Sequence, residues 1–240
     1  MAQKIKLSTI AESLGLSTAT ISLALRDSPL VAADTRERIK EQARAMGYIY
    51  NRRAASLRTS RSGIIGVVVH DIMNPFYGEI LKAIEGELDR RSHTFILSNH
   101  YDSVEKQRSF IEMLLQLGGD GVIMSPAIGT PPEDVALAEN NNMPAILIAR
   151  SMEGGDLPTF RGDDSYGISL ATNHLISLGH RTIAMVGGTE QTSTGRDRYQ
   201  GYVNALRKAG MEVDPALRIQ GPRGKQAGFE AAMEFLSLPQ

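Results

Sequence analysis

The 240-residue chain contains no cysteine and no tryptophan. The missing thiols exclude a disulfide scaffold, a Cys-ligated zinc or iron–sulfur site and a thiol nucleophile, and they suit the cytosol. Long apolar runs are missing too. The stretch Ile64-Ile65-Gly66-Val67-Val68-Val69 falls far short of the roughly 20 residues a membrane helix needs, and the N-terminus has no apolar signal core. Neither a membrane span nor an export signal is therefore expected. Walker, GxGxxG, GxSxG and HExxH motifs are absent, and the five histidines, at 70, 93, 100, 174 and 180, lack close metal-ligand spacing. The sequence accordingly points to no catalytic residue, no metal site and no cofactor. The paired glycines at 118–119, 154–155 and 187–188 read as turns instead of phosphate cradles.

Net charge is also small, with 26 Lys+Arg against 27 Asp+Glu. That sum hides two opposite halves. Residues 1–61 carry 11 basic and 5 acidic side chains, a net of +6, which leaves 15 and 22, a net of −7, for residues 62–240. A basic module joined to an acidic body suggests a nucleic-acid-binding end on a different kind of domain.

The basic end reads as three short helices. Leu7, Ile10 and Leu14 keep helical spacing before Gly15; Ser17 can cap a second helix that buries Ile21, Ala24 and Leu25; a third runs from about Asp34 to Met46, with Asp34 and Glu37 resembling a capping box. With Ile21 facing inward, Ala19, Leu23 and Arg26 fall on the opposite side of the second helix, with Ser22 beside them. A helix, a short turn and a helix exposing small, hydroxyl and cationic groups has the shape of a helix-turn-helix reader of the DNA major groove. Ser17, Thr20 and Thr35 could donate hydrogen bonds to phosphates. A surface helix of a small bundle fits the same pattern equally well.

Residues 51–61, with four arginines and one large apolar side chain, Leu57, read as a linker. From Gly63 the pattern becomes repeated strand–helix units. Apolar runs at Ile64–Val69, Thr94–Leu97, Val122–Met124, Ala145–Ile148 and Thr182–Val186 look like parallel strands buried on both faces. The apolar spacings Phe76/Ile80/Ile84/Leu88 and Phe110/Leu114/Leu117, and the stretch from Ser165 to Leu178, predict intervening helices. A Gly-, Pro- and Asp-rich break at Met152–Phe160 divides the body into two units. The second holds only two or three strands, the last near Leu217–Gln220, before a helix around Lys225–Leu236, so an incomplete lobe is expected. The fold class expected is α/β, with a three-helix headpiece over residues 1–50, a linker over 51–61, a first doubly wound lobe over 62–152 and a partial second over 153–240.

Ligands of such a fold sit at the carboxyl ends of strands. Asn74, Phe76 and Tyr77 follow the first buried strand, Arg150 the Ala145–Ile148 strand, and Arg196 and Arg198 come after Gly187-Gly188. An amide can bind sugar hydroxyls and an aromatic face can stack on a sugar ring. Taken singly, each of these residues is better explained as a surface arginine or a core aromatic, and it is their joint position at strand ends that favours a binding site.

The run from IKLSTIAESLG to NRRAASLR (residues 5–58) resembles the headpiece and hinge of the LacI/GalR family of bacterial transcription regulators. The later motifs agree: Gly66-Val67-Val68-Val69, Asn74-Pro75-Phe76-Tyr77, Gly119 to Ile123, Asp163 to Gly167, and His174-Leu175 with Gly179-His180-Arg181. The resemblance covers the chain in colinear order. It implies a periplasmic-binding-protein-like core, double-stranded operator DNA as partner, a sugar or sugar phosphate as effector and a homodimer. It puts Thr18, Ala19 and Leu23 at base-reading positions, and Tyr48, Asn51, Arg52 and Ala54 at the headpiece–hinge contact with DNA. Leu57 becomes a wedge in the minor groove on a hinge helix paired with its copy. The lactose repressor carries Arg where this chain has Leu23, so a bidentate guanine contact is unavailable there and only apolar contact with a thymine methyl remains. Ala149 departs as well, since several sugar-binding relatives have Asp before the arginine. Two other classes fit the sequence less well: a plain solute-binding protein, which the +6 segment disfavours, and a Rossmann-type enzyme, whose fingerprint is missing.

Overall fold

The computed structural model describes residues 5–49, 61–154, 156–221 and 224–237. The chain divides into two units, residues 1–60 and 61–240.

In the first unit, α1 (Leu7–Leu14) stops at Gly15, whose φ of 63° gives the left-handed C-cap that glycine adopts without steric cost. Ser17 then starts α2 (Thr18–Ala24) by accepting a hydrogen bond from the Thr20 N–H at 3.1 Å. The third helix, α3 (Ala33–Ala45), begins two residues earlier than expected from a capping box. Its N-cap is Ala32, with no side-chain cap. Asp34 sits inside the first turn, where its charge complements the helix dipole, and Glu37 pairs with Lys40 and Arg44 instead of reaching back. Ile10, Ile21 and Ile39 are fully buried and, with Ala11, Ala24, Val31 and Ala43, make the small core. Leu25 lies at its edge, half-buried.

The second unit alternates strands and helices: β1 (Ile64–Val69), α4 (Pro75–Arg90), β2 (Thr94–Asn99), α5 (Val104–Leu117), β3 (Gly121–Met124), α6 (Pro132–Asn140), β4 (Ala145–Ile148) and β5 (Thr159–Phe160). These five strands form one parallel sheet in the order β2-β1-β3-β4-β5. Its core joins Val68, Phe110, Ile111, Leu114, Val122, Met124 and Leu147 on one face to Val67, Val69, Tyr77, Leu81 and Ile148 on the other. Two expectations fail in this sheet. The strand at Thr94 is not buried on both faces, because it is the edge strand: none of its residues is fully buried, and Thr94 and Leu97 are exposed. The break at 152–160 ends in a fifth strand, since Thr159 and Phe160 pair with Leu147 and Ile148.

Beyond it lie α7 (Asp164–Ser177), β6 (Met185–Val186), α8 (Ser193–Lys208), a 3₁₀ turn (Pro215–Leu217), β7 (Arg218–Ile219) and α9 (Gly224–Leu236). Only Met185 and Val186 of the expected Thr182–Val186 strand are paired, with Arg218 and Ile219 in a two-stranded parallel sheet. Burial there alternates: Ile183 and Met185 are inside, while Ala184 and Val186 are exposed. This segment is therefore covered on one face. Helices α7 and α8 pack so closely that a Cβ on Gly201 would lie 2.2 Å from the Ser165 carbonyl oxygen. Among the described residues no helix is long and apolar enough to cross a membrane.

Candidate functional site

In the order β2-β1-β3-β4-β5 the chain leaves β1 toward one edge and returns on the other side, so the switch point lies at the carboxyl ends of β1 and β3. Polar side chains gather there. His70 follows β1, His100 and Asp102 follow β2, Ser125 follows β3, and Arg150 follows β4 by two residues.

The backbone bends sharply to present them. Tyr101 and Asp102 have φ of 50° and 61°, and Ala149 has 62°. Left-handed conformations of this kind cost a non-glycine residue about 1–2 kcal/mol each. At Ala149 the turn is closed by the Arg150 N–H donating to the Ile148 carbonyl, N to O 2.6 Å. The bend delivers a buried Arg150 whose Nη1 donates to Asp102 Oδ1 at 2.5 Å and to the Pro126 carbonyl at 3.1 Å. Asp102 also accepts from the Ile128 N–H at 3.3 Å, and its other oxygen lies 3.2 Å from His70 Nδ1.

His100 is fully buried. Its Nδ1 accepts the Asp102 N–H at 2.9 Å, which leaves Nε2 as the donor to the Ser125 carbonyl at 2.7 Å. Burial, as the main cause, holds its pKa below the ordinary value and keeps the ring neutral. His70, His100 and Asp102 bring one potential ligand atom each within 4.8 Å of one another. A metal would need a lone pair from His100, and both of its nitrogens are already engaged, so the trio is a hydrogen-bonded support for Arg150.

A cleft of about 340 Å³ opens beside Arg150, within the range of small-molecule sites. One wall is the turn Ala127–Thr130, fixed by the buried Gln107: its Oε1 accepts the Ala127 N–H at 2.8 Å and its Nε2 donates to Thr130 Oγ1 at 3.0 Å. The other is the start of α8, with Gln191, Thr192, Ser193 and Arg196. Thr192 caps that helix by accepting from the Gly195 N–H. Ser193 Oγ accepts the Ser151 N–H at 2.9 Å, and Arg196 Nη2 lies 2.9 Å from Glu153 Oε1, so two polar contacts span the cleft.

Two of the six expected effector-binding residues, Arg150 and Arg196, line this cleft. The other four do not. Asn74 is exposed and uses its side-chain oxygen to cap α4, accepting the Phe76 N–H at 3.1 Å. Phe76 is half-exposed and edge-on to Tyr77, with ring centres 5.3 Å apart. Tyr77 is a core residue whose hydroxyl lies 2.8 Å from Ser125 Oγ. Arg198 turns to Asp164 of α7 at 2.6 Å. Ser151, Glu153, Gln191, Thr192 and Ser193 also line the cleft, with Asp102 and Gln107 behind it, and none of them carries a motif. For all but Gln107, which lies within α5, position just after a strand or at a helix start was the available signal.

On α2, Thr18 and Ala19 are exposed, as is Ser17 before it, while Thr20 is half-buried and 2.8 Å from Ser17 Oγ; Arg26 is exposed but lies beyond the helix, which ends at Ala24, and its Nε donates back to the Ser22 carbonyl. Ser22 departs from the expected outer face: it is buried, since a helix this short is covered from two sides by α1 and α3. Leu23 is half-buried and packs on the headpiece core, as does Tyr48; Thr35 is half-buried at the start of α3. Asn51, Arg52, Ala54 and Leu57 lie outside the described residues.

Residues 62–239 match the family model of periplasmic binding proteins and the sugar-binding domain of the LacI family. The maltose regulon regulatory protein MalI of Escherichia coli K12 is 33% identical over 236 residues, 98% of this chain and 69% of that protein. The transcriptional repressor CytR of the same strain is 31% identical over 94% of this chain and 66% of its own length. The chain thus spans about two thirds of the length of these relatives. Among solved structures, the Lac repressor bound to ONPG superposes with a TM-score of 0.80 at 25% identity, over 98% of this chain and 71% of that one. A complex of the transcriptional regulator CelR with cellobiose gives 0.64 at 27% identity, over 97% and 70%. Together with the helical headpiece and the α/β body, these matches establish that the chain belongs to the LacI family of helix-turn-helix transcription regulators.

Proposed function

We propose that the chain binds operator DNA through α2 and the basic segment 51–61, and that a sugar or sugar phosphate entering the cleft between residues 127–153 and 191–196 weakens that binding. The observation that carries this reading is the cleft itself, because Arg150 and Arg196 reach it from opposite walls. A ligand held by both walls couples their separation to its own binding. By linkage the operator must weaken effector binding by the same factor. CelR, which has cellobiose in its complex, supports an oligosaccharide or monosaccharide as the ligand class.

On the DNA side, Thr18, Ala19 and Leu23 read bases while Ser17, Thr20, Arg26 and Thr35 hold phosphates. Leu23 gives no bidentate contact to guanine. Asn51, Arg52, Ala54 and Leu57 form a hinge that pairs with its copy in a homodimer, Leu57 entering the minor groove. The protein works on cytoplasmic DNA and turns over no substrate. Residues 1–50, 51–61, 62–152 and 153–240 act as headpiece, hinge and two parts of the effector-binding body.

Selection from a random duplex pool, followed by anisotropy titration across salt, tests the reading. Specific binding with log K falling linearly in log salt is expected, together with a recovered half-site that does not demand guanine opposite Leu23. Salt-insensitive or absent DNA binding overturns it.

A further inference from the structure

Two arginines facing one cleft suggest an anionic ligand, yet neither is electrostatically free. Arg150 is buried against Asp102, itself only 15% exposed, with Nη1 to Oδ1 at 2.5 Å. Arg196 lies 2.9 Å from Glu153 and also donates to the Glu190 carbonyl at 2.9 Å. Formal charge at the cleft therefore sums to zero. The start of α8 adds about half a positive charge, and its capped first turn leaves little of it unanswered.

We propose that Asp102 is the residue that sets ligand class: by neutralising Arg150 it makes the cleft select uncharged polyhydroxyl compounds and reject their phosphorylated counterparts. The inference rests on the cleft being the effector site. A phosphate dianion must lose its hydration on entry, and it recovers that loss mainly from cations whose charge is uncompensated and from unengaged N–H donors. A guanidinium already paired with a carboxylate still offers N–H groups to neutral hydroxyls. Among the described residues, Arg150 Nη2 and Nε have no protein acceptor, which leaves them for such bonds. His70 approaches the second oxygen of Asp102 and the neutral His100 holds the Asp102 backbone, so the carboxylate stays in register with Arg150. The two pairs are not equivalent. Glu153 is 85% exposed, and an exposed pair contributes little, whereas the sheltered Asp102–Arg150 pair is held from several sides. Discrimination lies mainly with Asp102.

The probe is inorganic phosphate, titrated calorimetrically at constant ionic strength into the full chain. Asp102→Asn keeps the shape and one acceptor while removing the charge. It is expected to bind phosphate at least about tenfold more tightly than the unmodified chain, and adding Arg150→Gln is expected to abolish the gain. Glu153→Gln, on an exposed side chain, is expected to raise phosphate affinity by about two- to threefold, a smaller but measurable gain, and serves as the readout if Asp102→Asn does not fold. Tight phosphate binding by the unmodified chain overturns the proposal, and so does unchanged binding in the charge-removed variants that fold. A panel of neutral sugars that leaves operator binding untouched would instead defeat the effector reading, with the phosphate comparison still standing.

Discussion

The two α/β parts of the body reach stability by different routes. In the first, five strands carry helices on both faces, and Leu114, Ile111 and Met124 are fully buried between sheet and helix. In the second, two short strands shield one face, and helices α7 and α8 pack closely at Gly201. Side chains such as Leu178 and Val186 stay exposed. The cleft between them has one wall anchored in a five-stranded sheet and the other in a helix pair, so the two walls resist deformation unequally.

Three changes sharpen that contrast. Leu114→Ala removes a fully buried side chain from the first core and should cost about 2–5 kcal/mol, seen as lost hydrogen-exchange protection across β1, β3 and β4. Protection confined to residues 164–208 falling instead would break the distinction. Gly201→Ala drives a methyl group into the Ser165 backbone and should cost about 1–3 kcal/mol, with protection lost over α7 and α8 while the five-stranded sheet is spared. The smallest effect is a pH dependence. His100 titrates below 6.5 in the fold but takes up its proton near 6.5 once unfolded, so its contribution is complete above that pH and is lost as pH falls below it. Urea midpoints measured downward from pH 7.5 should decline first for the five-stranded part. A His100→Asn variant, less stable throughout, should show a flatter decline; an equal slope would remove His100 from the account.

Legibility in the sequence followed the range of the interactions involved. Strands β1, β3 and β4 stood out because central parallel strands need continuous apolar runs. Strand β2 has a similar run, and only its place at the sheet edge decides that none of its residues is fully buried. Strand β5 is two residues inside a turn-rich stretch and exists because Leu147 and Ile148 offer an open edge. The apolar spacing marked no helix at Ser193–Lys208, whose polar and charged residues obscure the buried Tyr202, Val203 and Leu206. At the site, strand ends pointed to Arg150 and Arg196. Spacing could not reveal that Tyr77 turns inward or that Arg198 turns to Asp164, because adjacent positions on a helix face different neighbours. Asp102 was the least legible of all, since its partner stands 48 residues away.

The bend at Ala149 has a kinetic consequence. Because the backbone and Asp102 already hold the Arg150 side chain at the cleft, no rotamer freedom remains to be lost there when a ligand arrives. Related ligands should then reach the cleft at similar rates and differ chiefly in how long they stay. Dwell time, set by how well each one's hydroxyls match the fixed guanidinium, would be the quantity this side of the cleft measures.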